Sequence, residues 1–292
     1  MKECYKINGN SYFYCPKCIC LQQKVFKRNS NLYKDFDYKV GFGREKYIRK
    51  RAIQISNELF RINRENSSLL DIGCGPGFML DEFRNKFKHV AGIEPSTRLS
   101  QYASKKYKLK VYNSLFTLKI AKTIRKKFDV VVLSHIIEHV PDPVDFIKAV
   151  SQVLKEKGII YIETPNIDSW LAKIERSNYT FLTPADHVCL YSSKTVFKLM
   201  NFAQLKYSKI NSYTYSDDEH IYGIITKLKK RILTFFDLKI FSNKNENEQS
   251  SNAKYILKNQ KIKDLVVKNI IKPSINFMNK GSYLVCYIQT EV

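Results

Sequence analysis

The stretch Leu69-Leu70-Asp71-Ile72-Gly73-Cys74-Gly75-Pro76-Gly77-Phe78 decides the fold. Four apolar or acidic residues give a short strand, three glycines in five positions give a turn, and Phe78 opens a helical pattern. The next strand, His89 to Glu94, ends on an acid seventeen positions after Gly77. A strand, glycine turn, helix, strand and terminal acid in that order describe a nucleotide-binding crevice. The turn lies at the carboxyl end of a parallel strand, and the acid is placed for ribose hydroxyls. The spacing is GxGxG, and no GxxxxGK[ST] occurs, so a P-loop is excluded.

Working outward, strands and helices alternate. A helical period runs from Arg44 to Ile62. Ser96 to Tyr107 reads as a helix with Ser96 as N-cap. FDVVVLS (128–134) and GIIYIET (158–164) are apolar without alternation, as in parallel strands covered on both faces. Pro143 opens a helix that Gly158 is expected to close. Residues 206–215 and 282–290 are the last two strands. The predicted organisation is a Cys-containing extension (1–42), an α/β core (43–215), a basic helical insertion (216–280) and a last core strand (281–292).

Composition narrows the function. The 292 residues are 44% hydrophobic with 18 Phe and 19 Tyr, enough for a real core. Formal charge is +23. Residues 1–67 hold 15 Lys/Arg against 6 Asp/Glu, and residues 221–280 hold 13 against 4. Basic flanks suit an anionic partner such as a phosphate, an acidic glycan, an anionic membrane surface or nucleic acid. The amino terminus has no apolar run of a secretion signal, and the expected compartment is a reducing cytoplasm with free thiols. Two basic amphipathic helices predicted within 216–280 form either a cap over the site or a peripheral contact with the inner face of an anionic membrane.

DIGCGPG with the downstream GIEPS resembles the first motif and acidic partner of class I S-adenosylmethionine-dependent methyltransferases. The segment HIIEHVPDP resembles the subgroup containing ubiquinone O-methyltransferase and many sugar methyltransferases. The resemblance covers about Arg44 to Gln204. It implies a Rossmann-like, seven-stranded, mostly parallel sheet with helices on both faces and an antiparallel last strand. It implies S-adenosylmethionine as cofactor. Asp71, Gly73, Gly75 and Gly77 would receive the methionine end, Glu94 the ribose, Asn113 or Ser114 the adenine edge, and Ser134 and His135 would line the methionine end.

Methyl transfer from a sulfonium needs alignment and, for a hydroxyl or carbon acid, a base. ADHVCLYS resembles a segment lying over the active site in related enzymes, which makes His187 first choice for the base, with His139 and Glu138 second. The expected acceptor is a hydroxyl or carbon of a small molecule, a nucleotide- or lipid-linked sugar on the path to a surface glycan. The rivals are an RNA ribose methyltransferase and a non-catalytic cofactor-binding protein. A base-modifying nucleic-acid enzyme is disfavoured because neither [DN]PPY nor a Pro-Cys nucleophile follows the expected strands. No obligate protein partner is inferred. Cys4, Cys15, Cys18 and Cys20 read as a shortened zinc ribbon that holds a structural zinc or keeps free thiols. Cys74, Cys189 and Cys286 read as small core residues.

Overall fold

A computed structural model describes residues 2–7, 10–23, 42–62, 67–183, 187–215 and 280–291. The two predicted helices of the basic insertion, and with them the cap and membrane readings, lie outside the described residues.

The main sheet is built from β4 (Ser68–Ile72), β5 (His89–Ile93), β6 (Lys110–Tyr112), β7 (Phe128–Ser134), β8 (Leu154–Pro165), β10 (Tyr207–Tyr215) and β11 (Tyr283–Thr290). Its order is β10-β11-β8-β7-β4-β5-β6, seven strands as expected. All pairs from β6 to β8 are parallel. Only β11 runs against the rest, pairing antiparallel with both β8 and β10. The apolar run of β7 explains its central place: Val130, Val131, Val132 and Leu133 are fully buried, alternating between two cores. Each contributes roughly 1.5–3 kcal/mol of burial.

One face carries α1 (Glu45–Ile62) and α2 (Phe78–Phe83), which bury Ala52, Ile55, Leu59, Leu80 and Phe83. The other carries α4 (Leu118–Thr123), α5 (Pro143–Val153) and α7 (Ser193–Phe202). Between β5 and β6, α3 (Thr97–Tyr107) starts on Ser96, whose hydroxyl accepts from the Leu99 amide. Asp142 caps α5 in the same way and Pro143 takes its first turn. That helix stops at Val153 rather than at Gly158. Leu154 is buried opposite Phe128 of β7, so sheet pairing claims it despite its helix-forming side chain, and the ladder resumes at Ile159 after an irregular register.

A second sheet, which the sequence did not reveal, has the order β1-β2-β3-β9. It comprises β1 (Lys2–Ile7), β2 (Asn10–Cys15), β3 (Cys20–Gln23) and the two-residue β9 (Cys189–Leu190). Leu21 pairs with Leu190 and Gln22 with Cys189, so the amino-terminal hairpins are stitched to the segment just after His187. Tyr12, Leu21 and Leu190 share a small core with Leu171, Ala172 and Ile174, which involves α6 (Trp170–Glu175). Among the described residues no helix is long and apolar enough to cross a membrane.

Candidate active site

The glycine turn follows β4 and is tied to the neighbouring strand. The amides of Gly73 and Cys74 donate to the Ile93 carbonyl at 2.7 and 3.2 Å. Gly77 holds φ +83°, and a Cβ there would stand 2.8 Å from that of Ala103, so glycine lets α2 and α3 close together. Gly75 has φ +53°, and a Cβ there would meet nothing within 4 Å. Its backbone faces open space, which is what a cradle for a ligand requires.

Glu94 closes the crevice. Its carboxylate accepts from the Gly75 amide at 2.9 Å and the Ser96 amide at 2.8 Å. Burial pushes its pKa up, and those two amides only partly offset this. Asp71 is buried at the end of β4. Burial, and then the Glu94 charge, raise it to about 7. Beside the turn lies a cleft lined by Ile93, Leu115, Phe116, Ile136 and Phe146, with Ser114 and His139. Its lining is largely apolar. Asn113 braces the turn after β5: its amide donates to the carbonyls of Glu94 (3.0 Å) and Pro95 (3.2 Å) and accepts from the Thr97 hydroxyl.

The loop after β7 carries the expected acid–base residues. Ser134 ends the strand, and His135 takes φ +56° with its amide on the Glu163 carbonyl at 2.8 Å. Its Nδ1 lies 3.2 Å from Glu138 Oε1 and its Nε2 3.7 Å from Glu163 Oε1. Burial would lower the His135 pKa, but these two carboxylates outweigh it and raise the imidazole above its ordinary value. Glu138 is fully buried. Burial alone would raise its pKa, yet the His135 hydrogen bond and the neighbouring imidazoles hold it down at about 2. Its Oε2 accepts from the Thr164 hydroxyl at 2.9 Å, and its carbonyl accepts from the Val188 amide at 2.8 Å. Glu138 therefore locks the β7 loop onto β8 and onto the segment that carries His187.

His187 is brought to His139, with ring centroids 4.8 Å apart. Its Nδ1 lies 2.5 Å from the Phe181 carbonyl. A carbonyl only accepts, so Nδ1 carries the hydrogen and the lone pair resides on Nε2. The hydroxyl of Tyr12, from the amino-terminal sheet, donates to the His187 carbonyl at 3.1 Å. Phe181 and Tyr283 continue the wall (5.4 Å), Tyr283 meets His135 edge-on (5.4 Å), and Tyr215 stacks on Tyr283 (5.1 Å).

That aromatic wall, and the charges beneath it, escaped the sequence reading. Glu163 is buried in β8, paired with Arg51 of α1 at 2.9 Å, and it accepts from the hydroxyls of Tyr161 and Tyr215. One signal was visible: a lone acid within the apolar run IIYIET has to find a buried partner. Arg51 gave none, because it sits in a helix with many exposed cations.

Of the predicted zinc ligands, Cys15, Cys18 and Cys20 bring their sulfurs within 4.8 Å of one another. Cys4 lies in β1 at the irregular register between Glu3 and Tyr5, and its side chain is outside the described residues. The Cys18 sulfur accepts from Lys198 at 3.6 Å. Cys74, Cys189 and Cys286 are buried, as expected of core residues.

A family model described as "Methyltransferase domain" matches residues 44–209. A ubiquinone biosynthesis O-methyltransferase of Pelagibacter ubique is 34% identical over 131 residues, 44% of this chain and 52% of that protein. The chain thus spans about half the length of the known relatives it matches. Among solved structures, a SAM dependent methyltransferase from Archaeoglobus fulgidus has a TM-score of 0.52 at 19% identity, covering 87% of this chain and 100% of its own. The plantazolicin methyltransferase BamL, solved with a triazolic desmethylPZN analog and SAH, has a TM-score of 0.52 at 15% identity, covering 88% and 89%. Both likenesses are of fold.

Proposed function

The chain belongs to the class I S-adenosylmethionine-dependent methyltransferases, and on that premise we propose that it methylates a hydroxyl of a small molecule, with a nucleotide- or lipid-linked sugar of a surface glycan as the preferred acceptor. The observation that carries the reading is the open backbone at Gly75, tied by its amide to the buried carboxylate of Glu94. S-adenosylmethionine fits these residues. Gly73 to Gly77 would cradle its methionine end, Asp71 would face the ammonium side, Glu94 would take the ribose diol and the apolar cleft the adenine. Bound there, the cofactor supplies a methyl carbon made electrophilic by a sulfonium.

The protein's own residues do the rest. Phe181, Tyr215 and Tyr283 exclude water around the acceptor, and the lone pair on His187 Nε2 is the group that takes up the acceptor proton. A carbon acceptor is the second reading for the same wall. Calorimetry with S-adenosylmethionine, NAD and ATP tests the cofactor: only the first is expected to bind, and binding of either other without it would refute the assignment. A mass-spectrometric screen of nucleotide sugars and glycans for one added methyl group tests the acceptor.

Two measurements probe the cofactor contacts. Glu94→Ala is expected to weaken binding by roughly 1–3 kcal/mol, because it leaves the ribose hydroxyls and two amides without their acceptor. Asp71 gives a pH dependence. With its folded-state pKa raised to about 7, the protein keeps a proton there that the unfolded chain loses near the ordinary carboxylate value. This group therefore makes stability fall as pH rises through that window. A cationic ligand prefers the ionised carboxylate, so affinity is expected to increase about tenfold between about pH 6 and about pH 8. Asp71→Asn should flatten that profile in calorimetry; an unchanged slope would remove Asp71 from the ligand.

At the amino terminus we propose a structural zinc on Cys15, Cys18 and Cys20, with Cys4 as fourth ligand. Soft thiolates in such a cluster select zinc. Metal content of the purified protein should fall in Cys18→Ser.

A further inference from the structure

We propose that Glu138, His139 and His187 form a second metal site, a divalent-cation centre at the acceptor end of the cleft. The carboxylate and one nitrogen from each imidazole all lie within 4.8 Å of one another. The three residues come from two distant segments, the loop after β7 and the stretch before β9. These segments are clamped by the Val188 amide on the Glu138 carbonyl, so the cluster is built by the tertiary structure.

Two features separate this cluster from a chance meeting of polar groups. First, His187 has its ring fixed as metal-binding imidazoles commonly have, with Nδ1 held at a backbone carbonyl, that of Phe181. Second, Glu138 is a fully buried carboxylate whose two oxygens are already steered, one by His135 and one by Thr164. Ligating carboxylates are commonly held by such outer hydrogen bonds. Two imidazoles and a carboxylate form a harder donor set than the Cys15–Cys18–Cys20 thiols. Such a set takes zinc, manganese or ferrous iron and leaves coordination positions open for water or an acceptor oxygen. The consequence for the acceptor rests on the methyltransferase reading above. A cation here acidifies a coordinated hydroxyl, so the site selects oxygen acceptors over carbon. His187 would then act through the cation instead of taking the proton itself.

The test is titration of the chelator-treated full-length protein with cobalt(II), without cofactor or acceptor, followed by visible absorption. Ligation by nitrogen and oxygen gives weak visible bands, whereas thiolates add an intense charge-transfer band, so the two metal sites are read separately. A saturable visible band is expected in the wild type and in Cys18→Ser, with affinity at least tenfold weaker in His139→Gln and in His187→Gln. A wild type showing only the thiolate band, or visible bands indifferent to both histidine substitutions, would overturn the proposal and leave a metal-free acid–base cluster. Calorimetry with S-adenosylmethionine on the same variants reports whether the fold is intact. Failure of the wild type to bind that cofactor would sink the methyltransferase reading without touching the cobalt result.

Discussion

Replacing His187 by alanine is expected to lower turnover about 10²–10⁴-fold and to leave cofactor affinity unchanged. The two halves of this expectation have separate structural causes. The ring stands against His139 and is held by the Phe181 carbonyl. The proposed cofactor contacts are on the turn after β4 and on Glu94, and no hydrogen bond among the described residues joins them to His187. The backbone ties of His187, to Thr183 through its amide and to Tyr12 through its carbonyl, survive truncation, so the local fold should hold. Single-turnover kinetics with calorimetry on the same preparation checks both halves. Turnover within a few-fold of wild type would take His187 out of the proton path, whether it acts as base or through a cation. A parallel loss of cofactor affinity would show that the segment has moved.

The elements that could be read from the sequence are those whose signal is local. Ser96 and Pro143 mark helix starts through their own chemistry. The uninterrupted apolar runs around Val131 and Ile160 mark strands covered on both faces, because no position in them is compatible with water. The glycine turn and Glu94 were legible for the same reason: a close backbone approach and a strand-end acid each leave a residue type at a fixed place. What was missed depends on partners far away in the chain. Cys189–Leu190 is too short to show a period and becomes a strand only because Leu21 and Gln22 lie beside it. The first amino-terminal hairpin was legible from Gly9-Asn10, and β1 and β2 pair antiparallel with Ile7 opposite Asn10; the sheet that it joins was not. Tyr12 and Leu21 of that sheet bury themselves against Leu171, Ala172 and Ile174, which lie about 150 residues away in the chain. Within the site, His187, His139 and Glu138 were named as three separate suspects. The structure brings their ligand atoms together, a fact carried by the fold and by no spacing in the sequence. Asn113 also has a local task that no spacing announces. Its amide is spent on the Glu94 and Pro95 carbonyls, and its bond from Thr97 fixes the turn that presents Glu94.

Arg51→Met is expected to cost about 3–5 kcal/mol of stability, because it strands Glu163 as an uncompensated charge beneath the acceptor wall. Arg51 is only 8% exposed and Glu163 1%, so little water can replace the lost partner. In the intact protein burial would raise the Glu163 pKa, but Arg51 outweighs burial and holds it below the ordinary value. The pair therefore stabilises the fold at pH above the ordinary carboxylate pKa, and that contribution fades as pH falls through the lowered one. Without Arg51 the sign reverses: burial dominates, Glu163 keeps its proton to higher pH, and the defect should shrink on acidification from about pH 7 to about pH 5. Urea unfolding at the two pH values measures it, and a loss that does not depend on pH would mean that Arg51 matters through its packing on the Tyr215 ring, 4.4 Å away. Adding Glu163→Gln to Arg51→Met removes the stranded charge and should restore most of the stability. It should not restore turnover, since Glu163 Oε1 also accepts from the Tyr215 hydroxyl at 2.5 Å and faces His135. A double variant that unfolds like the wild type yet turns over poorly would show that this buried pair shapes the acceptor wall as well as supporting the sheet. One that recovers both would reduce the pair to a structural contact.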